Sequence, residues 1–113
     1  MRVKRFLPCG ENILDKYTVK IYAGAYRDLD NIYTYIAENL SEPTTALHLI
    51  DELETAIFSL EQLPERGAVR HVGVYANSGY RQLFVKRFVI IYRVLKASKE
   101  VHIITVRYAP SLF

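Results

Sequence analysis

The sequence predicts an α+β fold of two layers, in the order β-α-α-β-β-β, with a helical hairpin packed on one face of a mainly antiparallel sheet. The first reason lies near the C-terminus, where three runs are rich in β-branched and aromatic side chains, at 80–85, 88–95 and 101–108. The second reason is a pair of stretches, 25–40 and 46–63, in which apolar residues recur every three or four positions, as in amphipathic helices.

The first strand and the first helix follow from the pattern of residues 17–40. Residues 17–22 alternate in polarity and contain strand-forming side chains, so they are predicted to be a strand. After Gly24 the pattern becomes helical, with an apolar stripe made of Ala25, Leu29, Ile32, Ile36 and Leu40. Asp28 and Asp30 are placed in the first turns of this helix, where the helix dipole favours anions.

A second helix is predicted to begin after Ser41, a candidate cap, with Pro43 tolerated in its opening turn. Its apolar stripe consists of Ala46, Ile50, Leu53, Ile57 and Leu60. Two amphipathic helices joined by so short a connection form an αα-hairpin, and their stripes together cover one face of the sheet. The segment 63–67, which contains Pro64 and Gly67, ends the hairpin.

The connections of the second half are less regular. Residues 68–79 are predicted to be a loop, with a short strand at 69–74. Lys86 and Arg87 stand alone between two strands, although two-residue hairpin loops favour Asn and Gly. We therefore expect a longer, bulged turn there. The alternative is that the tip breaks the local rule because it is functional.

The chain of 113 residues is predicted to form one domain over 17–113, preceded by an irregular, basic N-terminal extension over 1–16. Its one cysteine, Cys9, excludes an intrachain disulfide and is typical of a protein of the reducing cytoplasm. No apolar run approaches the roughly 18 residues needed to span a membrane, so no membrane association is predicted.

Charge is segregated along the chain, although the net charge is only +3. Between Gly24 and Glu65, nine acidic residues accompany one base, Arg27; after Glu65, nine basic residues accompany one acid, Glu100. This asymmetry favours nucleic acid or an acidic protein as the partner of the basic half. The alternative is that the two halves neutralise each other within the fold.

The residue types exclude several kinds of active site. His48, His71 and His102 are scattered, and one cysteine cannot form a thiolate cluster, so no metal is predicted. No glycine-rich phosphate loop is present, and no cofactor is predicted. His102 is interpreted as an ordinary cross-strand neighbour. Arginine, lysine and tyrosine on a sheet remain, which suit binding to phosphates or carboxylates. The candidates are Arg81, Lys86, Arg87, Arg93, Arg107 and Tyr108.

An ordered set of segments resembles the RelE/ParE toxin superfamily, and the resemblance covers residues 17–113. The segments are 17–21, 28–40, 63–67, 80–83, 90–94 and 106–108. The resemblance implies the toxin of a bacterial type II toxin–antitoxin module, an inhibitor of growth that a cognate antitoxin binds and masks in a hetero-oligomer. RelE-like members cleave mRNA in the ribosomal decoding site, whereas ParE-like members bind DNA gyrase and are not nucleases. For a ribonuclease, the resemblance implies catalytic roles for Arg81, Arg107 and Tyr108.

The chain departs from the ribonuclease pattern at several positions. Val89 stands three residues before Tyr92, where the ribonucleases have an arginine, and Ala109 and Pro110 stand where some of them have a histidine and a tyrosine. Each lost charge-stabilising donor removes about 2.7–4 kcal/mol of transition-state stabilisation. We therefore expect ParE-like inhibition of gyrase. The alternatives are a ribosome-dependent mRNA endoribonuclease, which would make the protein an enzyme, and a non-toxic protein-binding module.

Overall fold

The computed structural model describes residues 16–71 and 79–109 of the chain, and its elements follow the predicted order. The elements are β1 (Thr18–Ile21), α1 (Ala23–Thr34) with a π-helical end (Tyr35–Asn39), α2 (Pro43–Ser59), β2 (Ala68–Val69), β3 (Tyr80–Val85), β4 (Phe88–Leu95) and β5 (Glu100–Tyr108). The predicted α+β class is confirmed. Of the predicted N-terminal extension, all but Lys16 lies outside the described residues. Within the described ranges, no helix has the length and apolar character needed to cross a membrane.

The five strands form one sheet in the order β1-β5-β4-β3-β2. β3, β4 and β5 follow one another as antiparallel neighbours, and β2 extends the sheet antiparallel to β3. β1 lies at the other edge and pairs parallel with β5, so the sheet is mainly antiparallel, as predicted. The short strand predicted over 69–74 is present only as Ala68–Val69, and residues 72–78 of that loop lie outside the described ranges.

One face of the sheet is buried against both helices. Alternate strand residues point to the same side, and the core-facing ones are Leu83, Ile90, Tyr92, Val101, Ile103 and Val106. The helices contribute Ala25 and Leu29 from α1, and Leu53 and Ile57 from α2, all buried. These residues belong to the stripes predicted from the helical period, so the predicted packing of a hairpin on one sheet face is confirmed.

A β-bulge lies between β4 and β5. Ile91 pairs with Thr105, but its neighbour Tyr92 pairs with Ile103, so Ile104 is an extra residue on β5. The bulge reverses the alternation of β5, and Val106 faces the core. Strand residues after the bulge therefore point to the opposite face from the one that simple alternation from residue 101 would predict.

The C-terminal end of the first helix differs from the prediction. The five residues Tyr35–Asn39 form a π-helical segment, which turns more slowly than an α-helix. The apolar stripe consequently loses its phase, and Leu40, predicted as its last member, is 51% exposed.

The start of the first helix also differs from the prediction. The helix begins at Ala23, so Asp28 lies beyond the first turn. Its carboxylate instead accepts hydrogen bonds from the hydroxyl of Thr105 and the backbone N–H of Val106, the latter at 3.1 Å.

Two predicted turn features are wrong. The cap residue of α2 is Glu42, which makes no side-chain capping hydrogen bond, and Ser41 lies before it with a φ of 56°. Pro43 opens α2 as expected. Between β3 and β4 the bulged turn does not form, because Val85 and Phe88 pair directly and leave a two-residue loop. Lys86 occupies the first position of that loop.

Candidate interaction surface

A largely apolar groove of about 960 Å³ opens between the helical hairpin and the tip of the β3–β4 hairpin. The apolar residues lining it are Ile32, Tyr35, Ile36, Leu40, Leu49, Phe88 and Tyr108. Tyr35, Leu40 and Tyr108 are each more than half exposed. The rings of Phe88 and Tyr108 lie 5.4 Å apart between centroids and form the sheet side of the groove. The groove therefore offers large apolar side chains to an incoming segment.

Basic residues stand at the rim of this groove. The Lys86 ammonium lies 3.6 Å from the carboxylate of Glu52, and the Arg87 carbonyl accepts a hydrogen bond of 2.7 Å from the N–H of Ala109. Lys86 has a φ of 55°, a left-handed conformation that costs about 1–2 kcal/mol for a residue with a side chain. Ser41 and Lys99 also have a φ of 56°, so this conformation is not particular to the rim of the groove.

Arg81 does not reach this groove. Its guanidinium donates to the Gly67 carbonyl at 2.6 Å and more weakly to the Glu65 carbonyl at 3.4 Å. Beside it, the Tyr92 hydroxyl accepts a hydrogen bond of 2.9 Å from the N–H of Gly67, and burial raises the pKa of this phenol. Arg81 therefore holds the segment that follows α2 against the sheet.

The three candidate catalytic residues lie in separate places. Arg81 pairs with Tyr92 of β4, and Arg107 pairs with Val89 of the same strand. Val89 and Tyr92 are three residues apart, which corresponds to roughly 10 Å along the strand. Arg107 and Tyr108 are consecutive in β5, so their side chains point to opposite faces, and only Tyr108 lines the groove.

The sheet face opposite the helices, here called the open face, carries most of the exposed strand cations. Lys20, Arg93 and Arg107 point to it. Among the described strand residues of this face, Glu100 is the one acidic residue. The Arg93 guanidinium lies 5.3 Å from the centroid of the Tyr80 ring. The acidic residues cluster on the helices, and salt bridges such as Lys86–Glu52 and Lys96–Glu65 (2.8 Å) link the two halves of the sequence. Of the basic residues that follow Glu65, Arg93 and Arg107 therefore lie on the open face, whereas Lys86 and Lys96 form salt bridges with the acidic half.

The chain can now be compared with known proteins. Its residues 19–110 match the family described as the ParE toxin of the type II toxin–antitoxin system parDE. The chain belongs to this toxin family. The superfamily inferred from the sequence is therefore confirmed. The role of this chain as the toxin of a type II toxin–antitoxin system is confirmed as well.

Solved structures agree with this assignment. A structure of the chromosomal ParDE toxin–antitoxin system from P. aeruginosa has 27% sequence identity and a TM-score of 0.69, and the match covers 84% of this chain and 98% of that chain. The RelBE2 toxin–antitoxin complex from Mycobacterium tuberculosis shares the fold, with 20% identity, a TM-score of 0.59 and coverage of 89% and 100%. A comparison with curated proteins gives no match.

The toxin also contains a polar cluster that the sequence did not predict. The Tyr22 hydroxyl and Nδ1 of His102 are 2.8 Å apart, and Nε2 of His102 lies 2.9 Å from the Glu100 carboxylate. Lys20 approaches the other carboxylate oxygen at 3.1 Å. Hydrogen bonds from His102 and then from Lys20 hold the pKa of Glu100 below its ordinary value of 4.5. His102, interpreted above as an ordinary cross-strand neighbour, is the centre of a chain of hydrogen bonds.

The described part of the toxin does not contain a metal site. Over 16–71 and 79–109, no three His, Cys, Asp or Glu side chains lie close enough together to hold a metal ion.

Proposed function

We propose that this toxin inhibits DNA gyrase, and that a cognate antitoxin keeps it inactive in the cytoplasm. Membership of the ParE family supports a gyrase target, because the resemblance noted above associates ParE-like members with gyrase and not with RNA cleavage. The long helical hairpin supports the same mechanism.

We prefer gyrase inhibition over mRNA cleavage because the candidate catalytic residues lie apart from one another. Cleavage of a phosphodiester needs a proton acceptor and several cations fixed around one phosphorus atom. Arg81 is bonded to backbone carbonyls, and Arg107 and Tyr108 diverge to opposite faces. Val89, which stands where the ribonucleases have an arginine, is a buried apolar side chain. One phosphate could not contact all three candidates.

The purified toxin is expected to inhibit gyrase-dependent supercoiling and to leave mRNA on translating ribosomes uncut. Supercoiling of a relaxed plasmid measures the first effect, and primer extension on mRNA after induction measures the second. Arg107→Gln and Tyr108→Phe are the first variants to test in the supercoiling assay. Tyr26→Phe is the matched control, because Tyr26 is also an exposed tyrosine but lies on α1 and does not line the groove.

The opposite result would reverse this assignment. Discrete, ribosome-dependent cuts that disappear in Tyr108→Phe, without loss of folding, would make the toxin an endoribonuclease. Arg81→Ala needs a parallel measurement of unfolding, because its guanidinium also stabilises the segment after α2. Growth without arrest of either replication or translation would favour the non-toxic binding module.

The groove is the surface that we propose for the antitoxin. Its apolar lining fits a segment that inserts leucine- or phenylalanine-sized side chains, and its rim cations Lys86 and Arg87 fit carboxylates on the same segment. The similar solved structures come from toxin–antitoxin systems. The expected partner is therefore an amphipathic, acidic segment of the cognate antitoxin.

Charge at the rim is expected to act mainly on association with the antitoxin. Lys86→Gln should slow association by up to about tenfold at low salt, and the effect should shrink as salt screens the interaction. Stopped-flow kinetics of the purified pair measures it. Lys99→Gln is the control, because Lys99 has almost the same backbone conformation, with a φ of 56°, in an exposed turn outside the groove. Association that is independent of salt, or antitoxin affinity unchanged in Leu40→Asp, would contradict this surface.

A further inference from the structure

An acidic residue of α1 is bonded to the β-bulge of β5. The carboxylate of Asp28 accepts hydrogen bonds from the Thr105 hydroxyl and from the Val106 N–H, the latter at 3.1 Å. Both donors directly follow Ile104, the extra residue of the bulge. Thr105 is only 8% exposed and Asp28 is half-buried, so solvent reaches this contact only in part. One side chain of the helical layer thus bonds two consecutive residues of the sheet, a contact here called the Asp28 clamp.

The Asp28 clamp lies where β5 loses its neighbouring strand. β1 pairs with β5 as far as Ile103, whose carbonyl accepts a hydrogen bond of 3.0 Å from the Tyr22 N–H. The chain then enters α1 at Ala23, and no described strand pairs with this edge of β5 beyond Ile103. The Val106 N–H needs an acceptor here, because Val106 is buried. Asp28 supplies the acceptor that a neighbouring strand would supply in a wider sheet.

The bulge decides which of two adjacent side chains lines the groove. With it, Tyr108 pairs with Phe88 and lines the groove, whereas Arg107 points to the open face. Without it, the register that pairs residues 100–103 with β4 would continue, and Arg107 would pair with Phe88. A slip of one residue would therefore exchange the two faces. It would place a cation in an apolar groove and a phenol on the open face.

Burial and the Asp28 clamp favour the same register. The bulged register buries Val106 against the helices, whereas the regular one would place the polar Thr105 there. Burial does not restore the ladder, however, because a bulge leaves its extra residue unpaired and interrupts the strand locally. The two bonds to Asp28 act at this interruption. Hydrogen bonds to a charged acceptor are roughly twice as strong as those between neutral groups.

We infer that Asp28 is a positioning residue of the interaction surface, which holds the bulge and so keeps Tyr108 in the groove and Arg107 on the open face. Asp28 acts through β5 and needs no contact with a partner. Its effect on antitoxin binding rests on the proposed role of the groove. Its effect on the strand register does not, because the register is a property of the toxin alone.

NMR spectroscopy of the purified full-length toxin reads the register directly. Cross-strand nuclear Overhauser effects connect Phe88 with Tyr108 in the bulged register and Phe88 with Arg107 in the regular one. Asp28→Ala should move part of the signal to the second pattern and speed hydrogen exchange at the Val106 amide by about tenfold or more. Asp28→Asn keeps an acceptor oxygen and should retain most of the first pattern.

Antitoxin affinity separates positioning from general destabilisation. Asp28→Ala should weaken binding of the purified cognate antitoxin by about tenfold. Asp30→Ala, which removes an exposed acid from the same helix, should change it by less than about twofold. Deletion of Ile104 removes the bulge but keeps the pairs beyond it, so Tyr108 faces the groove without the Asp28 clamp. In that background, Asp28→Ala should change the affinity by less than about twofold.

Two results would overturn the inference. One is an unchanged pattern of cross-strand contacts in Asp28→Ala. The other is an equal loss of affinity with and without Ile104, which would make the role of Asp28 purely structural. If the deletion prevents folding, Thr105→Val decides in its place, because it removes one bond of the clamp and should shift the register less than Asp28→Ala does. A shifted register with unchanged affinity would support the role of Asp28 and reject the groove as the antitoxin surface.

Discussion

Leu53→Ala is expected to lower the free energy of unfolding by about 2–5 kcal/mol. Leu53 lies at the centre of α2, has no exposed surface, and belongs to the cluster that joins both helices to the sheet. Truncation removes buried methyl groups and leaves a cavity that a close-packed core fills only in part. A domain of this size has a total stability of about 5–15 kcal/mol, so the loss would be a large part of it. Urea denaturation of the purified variant measures the change.

Leu47→Ala is the matched control for this prediction. It is the same substitution on the same helix, but Leu47 is 54% exposed and is expected to change stability by less than about 0.5 kcal/mol. A loss below about 1 kcal/mol in Leu53→Ala, or equal losses in the two variants, would reject the packing of α2 on the sheet.

The layers of the fold were predictable because burial leaves a local period in the sequence. Leu53 and Ile57 recur at helical spacing and Val101 and Ile103 at strand spacing, and both pairs face the same core. The parallel pairing of β1 with β5 was not predictable in this way. It depends on contacts between residues about eighty positions apart, such as Thr18 and Glu100, and no local pattern records them.

The candidate sites were harder to predict, because residue type alone does not say what a side chain touches. Arg81 and Arg107 look equivalent in the sequence, yet one is bonded to the Gly67 carbonyl and the other is exposed on the open face. The bulge at Ile104 changes which strand residues face the helices, and bulges of this kind have no strong sequence signal here. The bond between Tyr22 and His102 joins residues 80 positions apart, so His102 could not be recognised as the centre of a cluster.

Gly67→Ala is expected to destabilise the toxin by about 2–4 kcal/mol. Gly67 is buried where the segment after α2 crosses β3 and β4. A Cβ there would overlap the Gln82 carbonyl oxygen and stand 2.7 Å from the Tyr92 hydroxyl. The first of these atoms is backbone in a paired strand and cannot move cheaply, so the segment itself must shift. Denaturation of the variant measures the loss.

Gly24→Ala provides the control with the opposite sign. Gly24 lies in α1, and its added Cβ would meet its nearest neighbours at 3.9 Å, so the substitution should stabilise the helix by about 0.4–1 kcal/mol. The contrast tests close approach, because both variants add the same methyl group.

Tyr92→Phe tests the contribution of the hydrogen bond at Gly67 on its own. It leaves the Gly67 N–H without its acceptor and should cost about 1–3 kcal/mol by itself. If Gly67→Ala loses no more than Tyr92→Phe, the hydrogen bond rather than the overlap dominates. If neither variant loses stability, the segment after α2 is not held rigidly against the sheet, and the structural role assigned to Arg81 fails.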